Sequence, residues 1–149
     1  GGAGGKTITF TGVGSCILVA SQAGNGTYSA ADDVTRTIVI SKKPVAVVAP
    51  TITMPVTRQG QTATRTQGDW TGSGGVLTYS TAWYRCSASS VATPTTASVT
   101  GCTAVGATGA TYVATNTDVN KYLRVRITVT NYSGTSYRWS TTTAKILTP

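Results

Sequence analysis

Few side chains in this chain could perform chemistry. There is no histidine and no glutamate among the 149 residues, and the carboxylate side chains are limited to four aspartates. Asp32 and Asp33 are adjacent, and neighbouring residues of an extended backbone point to opposite sides, so these two cannot flank one glycosidic bond. The many Ser and Thr hydroxyls have no evident base to activate them. The sequence therefore predicts no catalytic residue and a protein that is not an enzyme.

Metal ligands are equally scarce. A zinc site uses histidines and cysteines, and this chain has three cysteines and no histidine. Asn25, Asp32 and Asp33 offer the oxygen ligands that Ca²⁺ accepts, but an ordinary Asx-rich turn explains the same residues. We therefore predict no metal and no cofactor.

The cysteines indicate a disulfide. Cys86 and Cys102 enclose a short segment rich in Ser, Thr and Ala, and neither belongs to a CxxC pair. We predict that they are bonded to each other, which implies an oxidising, extracellular setting. Cys16 is left over: it is either a buried free thiol or the partner of a cysteine in sequence that this chain lacks.

Composition indicates the fold class. Thr, Val, Ser, Ala and Gly dominate, and these residues favour strands and tight turns over helices, so we predict an all-β protein. No apolar run approaches the length of a membrane helix, and we predict no membrane insertion. The net charge of +8 comes from scattered residues, with Lys42 and Lys43 as the adjacent pair. This scatter predicts no nucleic-acid partner, although attraction to an acidic cell-wall polymer is compatible with it.

Two patterns indicate which elements position these residues. Trp83 lies in a strand that ends at Cys86, and Asp118 precedes Tyr122 by four residues at the start of a long alternating strand. A tryptophan strand followed by such a corner is typical of an immunoglobulin-like β-sandwich. We therefore assign Trp83 to the core, and we expect Asp118 and the Tyr122 hydroxyl to satisfy backbone groups of the corner.

The long strand also suggests a contact surface. Arg124 and Arg126 alternate with apolar residues, so we expect both to point outward, where Arg85 of the neighbouring strand could complete a cationic stripe for an anionic glycan or an acidic partner. The alternative is a solvated face that discourages aggregation of the sheet.

The last hairpin offers a second group of candidate contacts. Tyr137, Arg138 and Trp139 follow one another there, and exposed aromatic rings could stack on sugar rings. The alternative is aromatic packing between neighbouring strands.

Residues 51–149 resemble a bacterial immunoglobulin-like repeat. That repeat has five features in a fixed order: a G-x-W turn, a W-Y-R-C strand, a second cysteine, a tyrosine strand and a D-V-x-K-Y-L-R-V segment. The matching residues in this chain are, in the same order, Trp70, Trp83, Cys102, Tyr112 and Asp118. The segment between the two cysteines is longer than usual. The resemblance implies a complete domain that serves as a spacer in secreted or wall-attached proteins.

Residues 7–40 resemble the C-terminal half of another bacterial repeat of this kind. The resemblance rests on three motifs: a G-x-C strand that contains Cys16, an A-G-N-x-x-Y crossing that ends at Tyr28, and a V-T-R-T strand that begins at Val34. Alternating residues predict one further strand at residues 6–10. We expect an incomplete module at 1–43, because three strands cannot close a sandwich. Residues 44–50, bracketed by prolines, are predicted to be an extended linker or a strand that pairs with one of the modules.

The predicted fold is therefore an all-β immunoglobulin-like β-sandwich preceded by a partial β-sandwich module. The expected function is a non-enzymatic structural module of an extracellular bacterial surface protein or fibre, such as a stalk, an adhesin shaft or a filament. The alternative is a glycan-binding module that uses the exposed aromatic residues and the arginine face. Expected partners are other copies or neighbouring repeats that complete the first module, and a cell-wall or host glycan.

Overall fold

The structure, a computed structural model, describes residues 7–149, so the first six residues of the predicted 1–43 module lie outside it. The described residues form an all-β protein, as predicted, with one 3-10 turn at Asn116–Asp118. No helix among them is both long and apolar enough to cross a membrane. The strands are β1 (Gly14–Gln22), β2 (Ala31–Ile40), β3 (Lys42–Val48), β4 (Ile52–Thr53), β5 (Thr62–Arg65), β6 (Asp69–Ser73), β7 (Thr78–Cys86), β8 (Cys102–Ala104), β9 (Thr111–Val113), β10 (Tyr122–Asn131) and β11 (Gly134–Trp139).

The largest sheet contains four antiparallel strands in the order β11–β10–β7–β8. Its central strand β10 pairs with β7 along its whole length, from Tyr122 opposite Cys86 to Thr130 opposite Thr78. Side chains alternate along β10, and the apolar set faces inward because those residues are fully buried. The inward residues are Leu123, Val125, Ile127 and Val129.

Two smaller sheets complete the layers. One has the order β4–β5–β9 and the other pairs β3 with β6. Ala63 of β5, Ala114 and Ile146 join the inward residues of β7 and β10 in one buried cluster. Several antiparallel sheets around a shared core are compatible with a β-sandwich.

Trp83 is the largest side chain of this core. Its indole is fully buried, stacks on the ring of Tyr112 at a centroid distance of 5.8 Å, and donates a hydrogen bond from Nε1 to the Gly109 carbonyl at 2.9 Å. The bond satisfies the polar atom, so the ring can be buried without a desolvation cost. The sequence-based assignment of Trp83 to the core agrees with this position.

Strands β1 and β2 form a separate two-stranded hairpin, aligned from Gly14 opposite Ile40 to Gln22 opposite Ala31. We expected a third strand over residues 6–10, but Thr7–Phe10 is not in a strand, and Lys6 lies outside the described residues. Apolar side chains on the hairpin remain accessible, with Ile17 64% and Val39 62% exposed.

The segment predicted as a linker at 44–50 is largely a strand. β3 covers Lys42–Val48 and pairs with β6, with Val45 opposite Thr71 and Ala46 opposite Trp70. Pro44 is fully buried. One residue, Ser41, separates β2 from β3, so the hairpin passes almost directly into the following domain.

Candidate functional site

The outer face of the four-stranded sheet carries a cluster of cations and aromatic rings, called here the arginine–aromatic cluster: Tyr84, Arg124, Arg126, Tyr137 and Trp139. The rings of Tyr84 and Trp139 are 4.4 Å apart. The Arg126 guanidinium lies 5.5 Å from the Tyr84 ring centroid, 5.3 Å from that of Tyr137 and 5.8 Å from that of Trp139. The Arg124 guanidinium lies 5.6 Å from the Trp139 ring. These distances fall within the range of cation–π attraction.

The segment 87–101, between the two bonded cysteines, covers this cluster. Cys86 and Cys102 form the predicted disulfide and close the segment at its base. Trp139 donates hydrogen bonds from its backbone nitrogen to the Pro94 carbonyl at 3.0 Å and from Nε1 to the Thr96 carbonyl at 2.7 Å. The Arg126 guanidinium donates to the Ala97 carbonyl. The segment therefore occupies the donors that a ligand would otherwise use.

Arg124 does not lie on a solvated face. It is 1% exposed, and it donates to the Ser140 carbonyl at 2.6 Å and to the Ala92 carbonyl. Burial lowers the pKa of the Arg124 guanidinium from its ordinary value. The alternation of β10 correctly placed this side chain away from the core, but the segment 87–101 shields it from solvent.

Trp139 likewise offers no stacking face, because it is fully buried. Of the two alternatives left open for the last hairpin, aromatic packing is the one present for Trp139. Arg85 does not extend the stripe either: it follows the inward Trp83 at a spacing of two and forms an ion pair with Asp118 at 2.7 Å. A continuous stripe of Arg85, Arg124 and Arg126 is therefore absent from the described residues.

Asp118 is the most densely hydrogen-bonded carboxylate of the described residues. It is fully buried and accepts hydrogen bonds from Arg85 Nε at 2.7 Å, from Tyr112 at 2.8 Å, and from the backbone nitrogen and hydroxyl of Thr115 at 2.7 and 2.8 Å. Burial by itself would raise the pKa of this carboxyl. The hydrogen bonds from Thr115, Tyr112 and Arg85 outweigh burial and hold the pKa below its ordinary value.

The Asp118 carboxylate accepts a hydrogen bond from the hydroxyl of Tyr112, and the Tyr122 hydroxyl, which we expected to satisfy backbone groups of the corner, does not do so among the described residues. Tyr122 lies at the start of β10 opposite Cys86, on the outer side of the sheet, and its hydroxyl makes no hydrogen bond within residues 7–149. Burial and the hydrogen bond to Asp118 raise the pKa of Tyr112. The corner thus holds its aspartate as predicted, with the hydroxyl supplied by β9.

A second polar joint closes the opposite end of β10. The buried Asn131 side chain donates from Nδ2 to the Lys42 carbonyl at 2.7 Å and to the Ser73 carbonyl at 3.1 Å, and its Oδ1 accepts from the Ser133 backbone nitrogen at 2.9 Å. One amide thereby ties β10 to both β3 and β6. In the sequence, Asn131-Tyr132-Ser133-Gly134 is typical of a hairpin turn, and no sequence signal points to these long-range carbonyls.

An open groove of about 520 Å³ lies between β3 and β11. Lys43, Arg138, Trp70 and Tyr137 are among the residues that line it. Lys43 extends over the β10–β11 turn, where a Cβ on Gly134 would be 2.8 Å from Lys43 Cε. Neither cation has a salt-bridge partner in the described part of the chain. Arg138 and Tyr137 are thus the two candidate contact residues that border a recess.

Within residues 7–149, no three His, Cys, Asp or Glu side chains come close enough to hold a metal ion. Cys16 is a partly exposed free thiol on β1. Hydrogen bonds thus fix both ends of β10, the segment 87–101 covers the arginine–aromatic cluster, and the basic groove between β3 and β11 is open. Comparison with protein-family models, with curated proteins and with solved structures finds no match to this chain.

Proposed function

We propose that this chain is a non-enzymatic structural module of an extracellular bacterial surface protein or fibre, built from serial immunoglobulin-like domains. The observation that carries the proposal is the fixing of both ends of β10. The chain enters the domain at Lys42, which Asn131 holds, and it leaves at Ile146, which pairs through its backbone with Asn120 and Lys121 beside the Asp118 corner. Entry and exit therefore lie at opposite ends of the longest core strand.

This arrangement suits a spacer. A strand of ten residues spans about 34 Å, at a rise of about 3.4 Å per residue, so each such domain adds a fixed length to a serial chain. The Cys86–Cys102 disulfide supports an oxidising location, because such bonds persist outside the reducing cytosol. The single residue between β2 and β3 fits a protein in which domains follow one another with little linker.

The experiment is a height measurement on cells. The full chain is inserted in one, two or three copies between a membrane anchor and an epitope, and the height of the epitope above the membrane is measured by super-resolution fluorescence. We expect an equal increment of at least about 30 Å per copy. Increments that shrink or vary with copy number would mean that the chain does not act as a spacer of fixed length.

Glycan binding is the second candidate, and the groove between β3 and β11 is the observation that favours it. Two aromatic side chains and two cations, Trp70, Tyr137, Lys43 and Arg138, border one recess, and this combination suits an acidic sugar. A glycan array that compares the parent with Tyr137→Ala tests it, since Tyr137 lines the recess whereas the buried Trp139 does not. Specific binding that Tyr137→Ala abolishes would favour this second function.

A further inference from the structure

The β1–β2 hairpin has two free edges and exposed apolar faces. β2 pairs with β1, and neither strand pairs with any other described strand. A two-stranded hairpin by itself is at best marginally stable in water, and unpaired edges are templates for further strands. The hairpin thus needs a partner, and its exposed apolar side chains include Ile17, Val19, Val34 and Val39.

The outer edge of β11 is hydrogen-bonded to no other described strand, and β3 lies beside it without pairing. The Trp139 backbone nitrogen, which points away from β10, bonds to the Pro94 carbonyl. Because backbone groups alternate along an antiparallel strand, the amides of Thr135 and Tyr137 point in the same direction as that of Trp139. No described backbone carbonyl accepts from them, and both residues border the groove. The groove is therefore flanked by a strand edge that can accept an additional strand.

The charges of the two surfaces are opposite. Residues 7–40 contain Asp32, Asp33 and Arg36, a net charge of −1, whereas residues 41–149 contain ten Lys or Arg and two Asp, a net charge of +8. Asp32 and Asp33 lie exposed at the start of β2 and have no salt-bridge partner among the described residues. Lys43 and Arg138 in the groove are equally unpaired. This complementarity of charge favours contact between the hairpin of one copy and the groove of another over contact between two basic domains.

We propose that the hairpin of one copy docks in the groove of a second copy, with β2 added to the outer edge of β11 and the acidic start of β2 placed next to Lys43 and Arg138. The contact joins two different surfaces, so each copy keeps one hairpin and one groove available, and repetition gives a linear fibre. This inference rests on the proposed structural function and names its partner, a second copy of this chain.

Charge-reversal variants of the full chain test the contact by sedimentation velocity. Asp32→Lys/Asp33→Lys alters the hairpin, and Lys43→Glu/Arg138→Glu alters the groove. Asp32, Asp33 and Lys43 are exposed and Arg138 is half-buried, so circular dichroism of each variant checks that the fold is retained. We expect the parent to associate with increasing concentration and each variant alone to associate at least about tenfold more weakly, because like charges then face each other.

Mixing the two variants is the decisive step. The hairpin variant keeps a native groove and the groove variant keeps a native hairpin, so the mixture should associate more strongly than either component alone. Hydrogen exchange should then slow in Ala31–Ile40 and Gly134–Trp139. The control, Lys121→Glu/Lys145→Glu, changes the net charge by the same amount away from the groove and should associate like the parent.

Three results would overturn the proposal. They are a monomeric parent at every concentration, association that the reversals do not weaken, and variants whose mixture fails to associate. A glycan that occupies the groove and protects Tyr137 would likewise assign the surface to another class of ligand. Repeating the experiment with Cys16→Ser excludes a dimer linked through this thiol. A monomeric parent with normal height increments on cells would reject this contact and leave the spacer function standing.

Discussion

Replacing Asp118 by alanine should destabilise the domain more than any other single loss of charge. The carboxylate is fully buried, and its removal leaves the Tyr112 hydroxyl, the Thr115 backbone nitrogen and the Arg85 guanidinium without their acceptor. Breaking a buried ion pair from one side typically costs about 3–5 kcal/mol. The Arg85 side chain is 25% exposed and can regain water, so we expect a loss of about 3 kcal/mol, at the lower end of that range.

The assay is urea unfolding followed by tryptophan fluorescence, with the slope of the transition monitored for two-state behaviour. The matched control is Asp69→Ala, which removes an exposed aspartate from β6 and should change stability by less than about 0.5 kcal/mol. A double-mutant cycle with Arg85→Ala should give a coupling energy of about 1 kcal/mol or more, because the two groups are in direct contact. Equal losses for Asp118→Ala and Asp69→Ala would refute the account of the corner as a structural lock.

Three further predictions concern pH, the disulfide and the entry joint. The folded pKa of Asp118 lies below its ordinary value of 3.8, so its contribution to the free energy of unfolding is fully present above that value and is lost as pH falls through the lowered folded pKa. The stability of Asp118→Asn should therefore fall less steeply with acid than that of the parent, as measured by circular dichroism. Replacing Cys86 and Cys102 together by alanine should cost about 3 kcal/mol in urea unfolding, since the bond closes a loop with a sequence separation of 16, and peptide mapping without reductant should recover the bonded pair from the parent. Asn131→Ala leaves the Lys42 and Ser73 carbonyls without a donor and should cost about 1–3 kcal/mol, with faster amide exchange in β3; unchanged exchange there would argue against the joint.

The positions of several strands along the chain could be predicted, because apolar and polar residues alternate along parts of them. β10 has buried residues at every second position from Leu123 to Val129, and β7 buries Thr81 and Trp83, so the sequence could predict where both strands lie. The cysteine pair was predictable because Cys86 and Cys102 enclose a short segment and the described Cys16 is far from both in the chain. These features are local, and local features are what a single sequence records best.

The environment of the arginines was not predictable, since periodicity tells which face a side chain occupies and not what covers that face. The segment 87–101 has no periodic pattern, yet its carbonyls meet Arg124, Arg126 and Trp139. The residues of β6 are typical of a turn, because Gly68 and Gly72 bracket Trp70, and the sequence leaves its partner β3 open between a linker and a paired strand. β3 and β6 are defined by their pairing with each other, which is a tertiary contact that a local sequence pattern does not record.

The antiparallel pairing of β3 with β6 has a mechanical consequence. Tension on a serial protein would pull Lys42 away from one end of β10 and Ile146 away from the other, along the direction of the strands. The hydrogen bonds between β3 and β6 would then be loaded side by side in shear, so they would have to break together and not one after another from an end. A pulling experiment should therefore find a high, abrupt unfolding force, and Asn131→Ala, which loosens the end where the load enters, should lower it.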